Sequence, residues 1–212
     1  MKTIGVLAFA LGCLAVPSKA MAVQCGVPNT NVLDYNAVGG CTIDGLLFSD
    51  FFVDPIPGSP NSVIAMDSGV VDGVVNFVLN PNLGLSTSLE DIHFFFKVST
   101  LDGSANIVGV DLTVGGSGAS IVEQVCSASF VFNVCSAQLL TTLAADSGEP
   151  NTSGFFAPQS SIWVFKDVGV QGGSSAISSF TQSFHVPDAG STLTLLALGF
   201  LSLGSFRRRF AR

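Results

Sequence analysis

The sequence predicts an all-β protein, an antiparallel β-sandwich with a jelly roll among the arrangements open to it, between a helical signal peptide and a C-terminal hydrophobic helix. Three observations carry this. Between residues 23 and 185 apolar residues recur with period two, and no segment shows a convincing 3.6-residue period. Turn residues interrupt these runs at short, regular intervals. The chain holds 18 Phe against one Trp and one Tyr, bulk suited to a core of rings with no polar group to satisfy.

In chain order, Thr42 to Val53 reads as a first strand pair, with Leu46, Leu47, Phe48, Phe51 and Phe52 supplying bulk. Residues 54–60 hold three prolines and cannot donate to a ladder, so they form a loop. Ser62 to Asp67 and Val74 to Leu79 are the next candidates, with turns at Ser68-Gly69 and Asp72-Gly73. The clearest strand is Ile92 to Ser99, placing Ile92, Phe94, Phe96 and Val98 on one face and His93, Phe95, Lys97 and Ser99 on the other. Asp102-Gly103 then predicts a hairpin into Ile107 to Val114. Gly116-Ser117-Gly118 reads as a turn before Ala119 to Ala128. Phe130 to Ser136 and Gln138 to Ala145 follow as strands, the latter with enough Ala and Leu to tolerate a helix. Asp146 to Ser160 is rich in Gly, Pro and Ser and is expected to be loop. Ser161 to Val170, with Trp163 and Phe165 opposing Ile162, Val164 and Val168, and Ala176 to Phe184 complete about nine strands.

Both ends differ from this body. Met1 to Ala22 has a charge at Lys2, an apolar stretch from Ile4 to Val16 and a small-residue Ala20-Met21-Ala22, the pattern of a secretory signal peptide that would engage a secretion translocon. Ala10-Leu11-Gly12-Cys13 offers a less well-formed lipoprotein site. At the other end Val186-Pro187-Asp188 and Gly190-Ser191-Thr192 precede a 14-residue uncharged run, Leu193 to Phe206, and then Arg207-Arg208-Arg209. As a helix the run spans about 21 Å, short of a bilayer core of about 30 Å. The arginines favour the cytoplasmic side and leave everything before Leu193 outside the inner membrane.

This tail resembles the C-terminal signals of PEP-CTERM-type proteins, the substrates of exosortases, in their VPD-x-G-S-T variant. Asp188 stands where the commoner form has Glu, and no second proline follows. The resemblance implies three segments: a signal peptide (1–22), a secreted β-sandwich (23–185) and a sorting signal (186–212). It implies that a membrane transpeptidase cuts near Pro187-Asp188, releasing the domain to the cell envelope or to an extracellular, biofilm-type matrix of polysaccharide. A single-pass anchor that is never cut is the competing reading. Within the body Gly40-Cys41-Thr42-Ile43, Phe48-Ser49-Asp50-Phe51, Cys126, Cys135 and the stretch from Val164-Phe165-Lys166-Asp167 to Ile177-Ser178-Ser179-Phe180 are similar to a layout of small exosortase-sorted proteins. Members of that layout have no assigned activity.

Charge and cysteines narrow the function further. Lys97 and Lys166 are the only cations between residues 23 and 188, against 15 carboxylates, a formal charge of −13. Such a surface repels phosphate backbones, which excludes nucleic acid as a partner. Cys25, Cys41, Cys126 and Cys135 form an even set in an exported chain; three pairings are possible, and the short spacings favour Cys25–Cys41 with Cys126–Cys135.

No catalytic residue, cofactor site or metal site is assigned. The two histidines, His93 and His185, lack an acid and nucleophile at useful spacing, Gly116-Ser117-Gly118 is not a nucleophile elbow, and Glu90-Asp91 is the only adjacent carboxylate pair. The leading expectation is a structural, non-catalytic exported protein. The alternative is a carbohydrate- or calcium-binding module, for which Trp163 or Tyr35 exposed on a concave face would speak. A hydrolase would need two acids about 5 to 10 Å apart across one cleft.

Overall fold

A computed structural model describes residues 23–55, 62–81, 83, 89–101, 103, 107–170 and 176–187. The expected signal peptide, the 56–60 part of the proline-rich loop, Asp102, and the tail from Asp188 through Gly190, Ser191, Thr192 and Arg207 to Arg209 lie outside these residues. Among the described residues no helix is long and apolar enough to cross a membrane.

The strands are β1 (Val23–Gln24), β2 (Thr30–Asn31), β3 (Cys41–Ile43), β4 (Leu46–Pro55), β5 (Ile64–Ala65), β6 (Gly69–Val71), β7 (Val74–Asn80) and β8 (Glu90–Thr100). Then come β9 (Ile107–Ser117), β10 (Ala119–Cys126), β11 (Phe130–Val131), β12 (Val134–Cys135), β13 (Leu139–Asp146), β14 (Asn151–Gln159), β15 (Ser161–Val170) and β16 (Ala176–His185). One sheet runs β1-β3-β4-β8-β15-β10-β13, the other β14-β9-β16-β7-β5-β2 with β6 also on β7. From β7 to β16 the chain changes sheet at every step except β10 to β13. That alternation, with inner orders β8-β15-β10-β13 and β7-β16-β9-β14, is the jelly-roll arrangement. All pairings are antiparallel except the short β1–β3 contact.

Alternation builds the core. Ile92, Phe94, Phe96 and Val98 of β8 are all fully buried, as their phase requires. Phe48 packs against Phe77 with ring centroids 4.6 Å apart and against Phe184 at 5.3 Å, so rings from both sheets interlock. These offset and edge-on contacts are the geometries that aromatic quadrupoles favour. Both disulfides pair as the spacings favoured: Cys25–Cys41 ties β3 to the segment after β1, and Cys126–Cys135 ties β10 to β12.

Three local readings are corrected. β8 and β9 are not a hairpin, because β8 pairs with β4 and β15 while β9 pairs with β14 and β16; their connection passes between the sheets. Gly116 and Ser117 are not the turn expected of them, since β9 continues through both and pairs them with Ile177 and Ala176. A side chain at Gly116 would bring its Cβ to 2.1 Å from the Ala176 carbonyl oxygen, so only glycine lets the two backbones meet. Residues 151–159, expected to be loop, form edge strand β14. Its register slips between Phe155 and Gln159, around Pro158, and an edge is where a sheet tolerates proline.

Candidate functional site

Strand register lays three rows of side chains across the outer face of the β4-β8-β15 layer. Ser49, Lys97 and Trp163 are cross-strand partners in the first, Phe52, Phe95 and Phe165 in the second, Asp54, His93 and Asp167 in the third. Along β8 and β15 successive rows lie two residues apart, about 7 Å. The middle row is a band of rings, with Phe95 centred 4.8 Å from Phe165 and 5.7 Å from Phe52. Phe52 is 56% exposed, so the band opens to solvent at its β4 end.

A bulge in β4 sets that opening. Register shifts between Ser49 and Phe52, and Asp50 takes a left-handed backbone with φ of 55°. The bulge leaves the Phe51 backbone without ladder partners; the Asn36 side-chain amide supplies both, accepting from Phe51 N at 3.0 Å and donating to Phe51 O at 2.8 Å. Phe51 therefore enters the core, while Asp50 and Phe52 face out.

The β11–β12 hairpin closes the other side. Phe130 reaches down to 6.0 Å from Phe95 and 5.6 Å from Phe165 between ring centroids. Its two-residue turn, Phe132-Asn133, has φ of 50° and 60°, as a primed hairpin turn demands. Phenylalanine is a costly choice there, and its ring is 96% exposed. Between hairpin and sheet lies a cleft of about 360 Å³, lined by Asp50, Phe52, Phe95, Ser129, Phe130, Phe132, Asn133 and Trp163. Its walls are five aromatic rings with polar groups at the rim, the composition of a small-ligand site.

The third row adjoins this cleft through Asn133, whose Nδ2 lies 3.4 Å from His93 Nδ1. Donor atoms of Asp91, His93 and Asp167 fall within 4.8 Å of one another, a set able to hold a cation. Burial lifts the Asp91 carboxyl to about 6, aided by its hydrogen bond to Asp167 and repulsion from that carboxylate, against the attraction of His93.

The residues expected to matter are distributed unevenly. Trp163 lies in the cleft wall but is half-buried, short of the exposed position expected of it, with the Lys97 ammonium 5.5 Å from its ring centroid. Tyr35 is corrected: it is 3% exposed on the 3-10 helix Val32–Val38, and its hydroxyl accepts a hydrogen bond from Gly26 N at 2.8 Å, so it serves the core. His93 faces outward as expected, whereas His185 pairs with Asp111 at 2.6 Å. Val186 packs against the core and Pro187 is exposed, so the sorting motif begins directly at the end of β16. Phe52, Phe95, Phe130 and Phe132 were missed as site residues. Their signal was the out-of-phase placement of Phe95 and Phe165 opposite the core set.

Residues 185–210 match the VPDSG-CTERM motif. This is a PEP-CTERM-type sorting signal, which marks an exported protein with a transient membrane-anchored step and implies processing by an exosortase-type membrane enzyme. Among curated proteins none matches the chain. Among solved structures, one described as TmCBM61 in complex with beta-1,4-galactotriose shows 11% identity, a TM-score of 0.30, and coverage of 74% of this chain and 98% of its own.

Proposed function

We propose that this chain is a non-catalytic component of the cell envelope or extracellular matrix, delivered by its C-terminal signal. The match at residues 185–210 carries the delivery half.

Replacing Pro187 and Asp188 together by Ala tests the delivery. The expected result is full-length protein held in the membrane fraction beside processed, relocated wild type. Wild-type size and location for the variant overturn the reading.

A second reading concerns what the domain does on arrival, and the cleft favours it. Flat rings flanked by Asp50, Ser129 and Asn133 suit a pyranose, whose C–H faces stack on aromatics while its hydroxyls meet the polar rim. In this reading the aromatic cleft binds matrix polysaccharide and keeps the released domain in place.

A further inference from the structure

We propose that the cleft selects a saccharide carrying free, protonated amino groups; this rests on the reading of the cleft as a polysaccharide site.

The first observation is electrostatic. The span 23–188 carries a formal charge of −13, which disfavours uronic acid and phosphate-bearing glycans. On this face the acids are placed with purpose. Asp50 lines the cleft, and Asp54 and Asp167 occupy the row next to the rings. Of the two described lysines only Lys97 lies here, since Lys166 is turned into the core with no exposed surface.

The second observation is what Lys97 does. Its ammonium sits 5.5 Å from the centroid of Trp163, so that ring already holds a cation, and an entering ammonium is left the rings of Phe52, Phe95, Phe130 and Phe132 on the side of Asp50. Aromatic faces carry negative quadrupole density, and several converging on one space form the environment in which organic ammonium groups bind well. Here five rings converge on the space that Asp50 borders.

The third observation is rigidity. Asp50 stands on the β4 bulge whose neighbouring backbone the Asn36 amide fixes from both sides, and Ser49 Oγ donates to its Oδ2 at 3.2 Å. Phe132 stands on a two-residue turn that the Cys126–Cys135 bridge anchors to β10. A ligand entering between them meets a carboxylate on a fixed backbone and the packed rings of Phe95 and Phe130 already in position, which lowers the ordering cost of binding. Neutral sugars would gain stacking and hydrogen bonds from the rim; amino sugars would add cation–π attraction and a charge-assisted hydrogen bond.

The experiment is calorimetric titration of the protein purified as exported with three hexamers: β-1,4-linked glucosamine, its N-acetylated form and glucose. The glucosamine hexamer should bind about tenfold more tightly than the other two. Asp50→Asn should erase that preference, bringing the glucosamine hexamer to the level of the other two, while the bulge stands because Asn adopts the left-handed backbone readily. Phe132→Gly, at an exposed turn that glycine suits, should weaken all three by about fivefold.

Equal affinity for the glucosamine and acetylated hexamers overturns the amine selectivity while leaving the saccharide reading standing. Binding of none overturns both. Binding indifferent to acetylation but dependent on added calcium or zinc overturns the proposal in favour of Asp91, His93 and Asp167. A preference that falls no further with Asp50→Asn than with Asp72→Asn, on the distant β6–β7 turn, marks diffuse attraction and overturns the site.

Discussion

Lys166 and Glu123 face each other across the β15–β10 ladder with both side chains turned into the sandwich, and their charged ends are hydrogen-bonded. Gln182 from the opposite sheet accepts from the Lys166 ammonium and donates to Glu123 Oε1 at 3.1 Å. All three are fully buried. Burial pushes the Glu123 carboxyl up and the Lys166 amine down, each toward its neutral form, and the contact between them opposes both shifts.

Lys166→Met should therefore destabilise the domain by about 3 to 5 kcal/mol, because it strands a buried carboxylate. The double change Lys166→Met, Glu123→Leu should cost clearly less. Urea denaturation of both variants measures the difference, and equal losses would show that packing rather than charge sets the cost.

Stability should fall as pH rises from about 4 to about 6. Asp91 holds its proton up to about 6 in the folded chain, whereas the unfolded group releases it near 3.8. Over that window the folded state binds more protons, so raising the pH favours unfolding. Asp91→Asn should flatten this segment of a melting temperature profile.

Removing the Cys126–Cys135 bridge by a double Ser substitution should cost about 2.5 kcal/mol, the chain-entropy value for its nine-residue separation. The loss should be accompanied by faster hydrogen exchange between Ser127 and Gln138, with β8 unchanged. Uniform loss of protection would mean that the bridge supports the whole sandwich.

Phe48→Ala should cost about 3 to 5 kcal/mol, since Phe48 is fully buried and meets Phe77, Phe96 and Phe184 from both sheets. Phe52→Ala, on the exposed face, should cost far less. Thermal melts of the two variants compare an inward ring with an outward one four residues along the same strand.

Much of the fold was legible because period two says which face is buried: the β8 alternation assigned Ile92, Phe94, Phe96 and Val98 to the core correctly. Periodicity does not say which strand lies beside which. The step from β8 to β9 therefore resembled a hairpin although it joins two sheets. Composition misled at β14, where Gly154 and Pro158 suit a sheet edge as well as a loop. For the candidate site, Trp163 was legible as a lone indole. The cleft was not, because Asp50, Phe95, Phe132 and Trp163 come together only through a bulge, a primed turn and a cross-strand register. Lys166 shares the inward phase of Ile162, Val164 and Val168, but what satisfies it there was not legible, since its partners Glu123 and Gln182 lie on two other strands.

The last strand leaves no slack before the sorting motif. β16 is flanked on both sides by β7 and β9, His185 at its end is held by Asp111, and Val186 still rests on the core. A protease that threads an extended substrate past Pro187 must first peel Val186 away. Address label and folded cargo thus share a seam, and under the proposed cut near Pro187 the state of the cargo would govern how readily the label is torn off.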